Sequence, residues 1–146
     1  MELRELSIKN IEEIKKLILE IFSGEPWNDT WTDEQLQLYV LELIGNSNPL
    51  LLGLYENENL IGISLGRIKH WYKGTEYWID EFGSLPENQE KGLGTKFLYK
   101  IKCLLKEKGV NGIVLLTEKT VPAYHFYIKN RFFEKEEQVF LVSEIR

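Results

Sequence analysis

The chain has one cysteine, Cys103, in 146 residues, so no internal disulfide can form and a reducing setting is expected. It has two histidines, His70 and His125, without partners at metal-ligand spacing, and no zinc or other metal is expected. No apolar run approaches the about 20 residues of a membrane-spanning helix, so no membrane partner is expected. The opening run "MELRELSIKNIEEIKKLILEIF" is too charged for a secretory signal, which makes the cytoplasm the expected compartment. Positive charge is also short, with 18 Lys and Arg against 23 Asp and Glu. Without a basic face, nucleic acid is not expected as a partner. A net charge of −5 is compatible with a cationic substrate, although many acidic chains are simply soluble.

What is present is enough for one domain over residues 1–146. "LRELSI" alternates and reads as a strand. Asn10 is expected to cap a helix whose apolar positions Ile11, Ile14, Leu17, Ile18 and Ile21 follow helical spacing. Thr32 and Gln35 form a capping box for a second helix at 33–44. Runs at 49–56 and 59–72, joined by Asn57-Glu58-Asn59, predict an antiparallel hairpin, and a third strand follows at 75–85. A long helix carries Leu93, Phe97, Leu98, Ile101, Leu104 and Leu105 on one face and stops at Gly109. Cys103 beside Leu104 is expected to pack in the core. The apolar run 112–117 predicts a strand buried on both faces. A short helix at 121–130 and one or two closing strands from Arg131 complete the order. These elements predict an α/β (α+β) domain, a mixed, mostly antiparallel sheet flanked by helices.

The segment "ENQEKGLGTKFLYKIKCLLKEKG" places glycines at the entrance of the long helix, where uncovered N–H groups attract phosphate. A Walker A string is absent. The dinucleotide fingerprint fails because its third glycine position is Phe97. What remains, Gln89-Glu90-Lys91-Gly92-Leu93-Gly94-Thr95, resembles Q/R-x-x-G-x-G/A, the pyrophosphate loop of the GNAT superfamily of N-acetyltransferases. The order β-α-α-β-β-β-α-β-α-β-β is also that of the family. So is the stretch Ala123 to Phe132, which matches A-x-x-x-Y-x-K-x-G-F except that Arg131 replaces the glycine. "IDEFGSLPENQEKGLGTKFL" further resembles aminoglycoside 6'-N-acetyltransferases, with Asp80 twelve residues before Gly92 and Glu81 where that group has glutamine.

The resemblance implies acetyl-coenzyme A as cosubstrate and a small-molecule amine as acceptor, with direct attack in a ternary complex. It implies that Gln89, Glu90, Lys91, Gly92, Leu93, Gly94 and Thr95 hold the pyrophosphate, and that backbone near Phe82, Gly83 and Ser84 holds the thioester. Asp80 is the first candidate for the base and Glu81 the second. Neighbouring strand residues face opposite ways, so at most one reaches the site unless the strand is distorted, as Gly83 would permit. Tyr127 is the candidate acid. Glu25, Trp27 and Asp29 lie in the loop that lines the acceptor side in this family, there either to hold a cation or to pin the loop. The acceptor reads as a cationic amine, aminoglycoside-like or peptidic. A non-catalytic acyl-coenzyme A sensor on the same fold is the alternative. Many family members are dimers, so a homodimer is also compatible.

Overall fold

The computed structural model describes residues 1–89 and 92–146, which form two compact units, 1–116 and 117–146. In the first unit Ser7, not Asn10, makes the opening cap. The Ser7 Oγ accepts from the Lys9 N–H, and the Asn10 side chain accepts from the Ser7 N–H, over a short 3-10 turn. Helix α1 (Ile11–Phe22) continues from it and buries Ile14, Leu17, Ile18, Ile21 and Phe22. The expected capping box is formed at the next helix, where Thr32 Oγ1 accepts from the Gln35 N–H at 3.1 Å and Gln35 Oε1 accepts from the Thr32 N–H at 3.0 Å. It opens α2 (Asp33–Gly45).

Five strands, β1 (Glu2–Glu5), β2 (Pro49–Glu56), β3 (Asn59–Trp71), β4 (Gly74–Ser84) and β5 (Gly112–Leu115), lie in sequence order across one sheet. The first four are antiparallel neighbours, and β5 joins β4 in parallel. Asn57 and Glu58 both take positive φ between β2 and β3, the geometry that a two-residue hairpin turn of the right twist demands. Helices α1 and α2 cover one face, packing against Leu51, Tyr55, Ile63 and Leu65. Helix α3 (Leu93–Glu107) covers the other, where Phe97, Ile101 and Leu105 meet Leu52, Leu54, Ile61, Tyr77 and Ile79. Cys103 lies off that buried stripe and is exposed, contrary to expectation. Strand β5 is only half-buried, also contrary to expectation, because among the described residues no strand pairs its outer edge.

Two register shifts interrupt the sheet. In β3, Ile61 is the extra residue between the pairs Tyr55–Leu60 and Leu54–Gly62. In β4, Asp80 is the extra residue between Leu65–Glu81 and Gly66–Ile79. Such a bulge turns the following side chains to the other face.

In the second unit, α4 (Pro122–Lys129) ends in a Schellman turn. The Phe132 N–H donates to the Tyr127 carbonyl at 3.0 Å and the Arg131 N–H to the Ile128 carbonyl at 3.2 Å. Arg131 takes φ +70 there, the conformation glycine would adopt without strain. The same turn closes α3 with Gly109 at φ +74. Arg131→Gly is therefore expected to stabilise the protein by about 1 kcal/mol, measured by denaturant unfolding, since a side chain in this region costs that much. The closing strands expected after Arg131 are not formed among the described residues. That run is irregular and leaves Val139, Phe140, Leu141 and Val142 exposed.

Candidate active site

The bulge at Asp80 decides which way two carboxylates point. Alternation alone would send Asp80 and Glu81 to opposite faces; the extra residue brings both to the α1/α2 side. Glu81 stands opposite Leu65, which belongs to that core, and accepts a 2.8 Å hydrogen bond from the Tyr39 hydroxyl on α2. Asp80 pairs with Arg67 at 3.6 Å, and Arg67 lies two residues beyond Leu65 on the same face. The distortion is at Asp80 and not at Gly83. Gly83 instead admits α1, since a Cβ there would meet Ile21 Cγ2 at 2.9 Å.

Burial holds the Glu81 carboxyl at about 7 against an ordinary 4.5, with the nearby charges of Asp29 and Asp80 adding to the shift and the Tyr39 hydrogen bond opposing it. Partial burial raises Asp29 as well. Burial, then Glu81, push the Tyr39 phenol well above its usual range, so it stays a donor. The loop between α1 and α2 arranges this corner. The Asp29 N–H donates to the Phe22 carbonyl at 2.9 Å, and the Trp31 ring stacks on Tyr39 at 5.3 Å. Trp27 is half-buried, edge-on to Phe22 at 5.7 Å, and pins the loop to the core. Glu25 is exposed ahead of a cis Pro26. A shallow depression is lined by Asp29, Thr30, Trp31 and Gln35.

Neither Tyr39 nor Arg67 stood out as a functional residue in the sequence. Tyr39 sits where a helix would carry a packing residue. Arg67 is one of two Lys or Arg residues in its strand.

The second half of the site is an opening along β4. The β4–β5 ladder ends at the pair Ile79–Leu115, so residues 80–84 have no strand on that edge among the described residues. Phe82 turns toward α3 and stacks on Phe97 at 5.3 Å. Buried Ser84 accepts from Gln89 Nε2 through its carbonyl at 3.0 Å, which fixes the start of the connection to α3. Gly92 caps that helix at φ +72, and a Cβ there would meet nothing within 4 Å. Leu93 is buried and anchors the first turn, which carries no acidic residue and includes Gly94 and exposed Thr95. The open N–H groups and the helix dipole fit a phosphate. Glu90 and Lys91, expected to take part, lie outside the described residues. In the other unit Tyr127 is buried, with edge-to-face contacts to Phe126 and Phe132 at 5.4 and 5.2 Å.

The sequence profile of the Acetyltransferase (GNAT) family matches residues 11–132. In direct sequence comparison no curated protein matches the chain. Among solved structures, a possible acetyltransferase from Clostridium difficile 630 superposes with a TM-score of 0.83 at 17% identity, covering 99% of this chain and 98% of the other. An aminoglycoside acetyltransferase from an uncultured soil metagenomic sample, in complex with sisomicin, gives 0.77 at 16% identity over 99% and 96%. The aminoglycoside acetyltransferase AAC(6')-Iy, with a bisubstrate analogue joining coenzyme A to acetylneamine, gives 0.73 at 15% identity over 99% and 98%. These likenesses speak to the fold, while the profile match spans most of the chain, which thus belongs to the GNAT acetyltransferase family.

Proposed function

We propose that residues 1–146 act as one acetyltransferase domain that uses acetyl-coenzyme A to acetylate a primary amine arriving as a cation. The observation that carries this reading is the bulge at Asp80, which turns Glu81 to the side of Asp80 and onto the Tyr39 hydroxyl where the β4–β5 ladder has ended. Acetyl-coenzyme A supplies the activated acyl group. Gly92, Leu93, Gly94 and Thr95 are suited to its pyrophosphate, with Gln89 fixing the approach, and Glu90 and Lys91 join them on the family pattern. The β4 backbone from Phe82 to Ser84 is placed to orient the acyl carbonyl.

An alkylamine must lose a proton before it attacks. Glu81 accepts it at a carboxylate oxygen, and its position near pH 7 suits that task. Asp80, first choice on family register, shares its charge with Arg67 and acts with Asp29 to attract the cation. Glu25 stands at the entrance of the same loop, and the Trp27 ring supports it. The Tyr127 hydroxyl is the proton donor for the leaving sulfur. Attack is direct, within a ternary complex.

The test is thiol release from acetyl-coenzyme A with a panel of aminoglycosides, polyamines, amino acids and short peptides. Turnover with a primary amine, lost in Tyr127→Phe while coenzyme binding is kept, is the expected result. Coenzyme binding without turnover of any amine sinks the reading and leaves a sensor. Tyr39 gives a separate check. Its hydrogen bond favours ionised Glu81, so Tyr39→Phe is expected to move the acid limb of the kcat/KM profile to higher pH. An unmoved limb would assign the base elsewhere.

A further inference from the structure

Beyond the bulge, the β3–β4 hairpin is largely exposed from Arg67 to Lys73, and the face that carries Arg67 continues toward the turn as a row of cations laid over aromatic rings. The Arg67 guanidinium lies 5.6 Å from the Trp78 ring centre. Lys69 Nζ lies 4.9 Å from Trp78 and 5.5 Å from Trp71. Lys73 Nζ lies 5.6 Å from Tyr72 and 6.0 Å from Trp71. All these distances are within cation–π range. Trp71 and Tyr72 are 42% and 79% exposed, so the rings are not core residues.

The row is continuous with the acceptor corner, because Arg67 touches both Trp78 and Asp80. From Asp80 back to Gly74 the strand covers about 20 Å, at the usual rise per residue. Among the described residues, Lys69 and Lys73 make no ion pair, although acidic side chains outnumber basic ones in the chain. Glu76 stands opposite Lys69, but its carboxylate accepts from Trp78 Nε1 at 3.1 Å and makes no ion pair with the lysine. The charge order along this face is thus carboxylates at the bulge, then Arg67, then Lys69 with Glu76 across from it, and Lys73 at the tip, with both lysines on aromatic supports.

A polycation reaching Glu81 would lay its remaining charges against like charges. A chain with an amine at one end and carboxylates after it would match both halves. We propose that the hairpin face extends the acceptor site and takes peptides whose reacting amine is followed, within about six extended residues, by acidic side chains. This rests on the acetyl-transfer reading above and names its substrate class.

The experiment compares two peptides of equal length and identical first residue, followed by either Asp and Glu or Lys and Arg, alongside the small-amine panel. The full chain is expected to favour the acidic peptide by about tenfold in kcat/KM, the scale of a few exposed ion pairs. The double variant Lys69→Glu/Lys73→Glu is expected to bring that ratio to one or below. Equal turnover of the two peptides by wild type, or a ratio the double variant leaves unmoved, overturns the proposal. So does turnover of small amines with neither peptide accepted, which leaves acetyl transfer standing. Coenzyme binding with no turnover of any amine would instead remove acetyl transfer, and the proposal with it. Stronger inhibition by a short single-stranded oligonucleotide than by an amine-blocked acidic peptide would assign the face to nucleic acid and overturn it too.

Discussion

Glu81→Gln is expected to lower kcat/KM for the acceptor by about 10²- to 10⁴-fold, the usual contribution of a positioned base. The same substitution is expected to make the protein more stable above neutral pH. The two effects share one cause. Burial holds the folded carboxyl at about 7, while the unfolded chain releases that proton near 4.5. Between those values the folded state binds more protons than the unfolded one, so stability falls as pH rises through the window. Above pH 7 the loss is complete, on the order of 1–2 kcal/mol after allowing for partial solvent contact. Glutamine cannot ionise and still accepts from Tyr39. Denaturant unfolding at pH 5 and pH 8, beside a turnover assay, checks both halves. A variant that is inactive yet no more stable at pH 8 would mean that Glu81 is not strained by burial. An active variant would remove it as the base.

Gly66→Ala is expected to be among the most damaging single-methyl changes available to this chain. Gly66 faces the bulge on the partner strand, and an added Cβ would overlap the Trp78 carbonyl oxygen and crowd Ile79 Cα at 3.0 Å. These are backbone atoms of a paired strand, so no side-chain rotation relieves the contact. The expected cost is about 3 kcal/mol, the upper range for overpacking, or roughly 10 °C in Tm for a chain of this length. Gly24→Ala, where a Cβ meets nothing within 4 Å, serves as the control. Thermal unfolding of both variants settles the comparison. A small effect at Gly66 would show that the two strands can part there, and the placement of Asp80 and Glu81 would then have to be maintained by other contacts.

Much of the frame was legible because its signals are local. The Thr32 capping box, the hairpin around Asn57, Glu58 and Asn59, the buried stripe of α3 and its glycine stop each depend on residues a few positions apart. The bulge was not. Its extra residue, Asp80, is ordinary for a strand end, and the residue that makes room for it, Gly66, lies on another strand. Reading β4 alone therefore splits the two carboxylates between opposite faces. Asn10 has the residue type of a cap, but Ser7 opens the helix through an extra 3-10 turn. Tyr39 escaped notice because its partner is 42 residues away. The exposed apolar run near the C-terminus reads as strand by composition, but composition does not supply a neighbour to pair with.

On the face opposite the carboxylates, Tyr77 is fully buried and its hydroxyl lies 2.8 Å from the Ser64 hydroxyl and 3.1 Å from the Leu50 and Ser64 carbonyls. One phenol thus spans β2, β3 and β4. Separating either seam would strand polar groups where no water reaches them, so these three strands should open together or not at all. Amide hydrogens around Leu50, Ser64 and Tyr77 would then exchange with solvent only when β2, β3 and β4 come apart together. Asp80 and Glu81 thus sit on one of the three strands expected to open last.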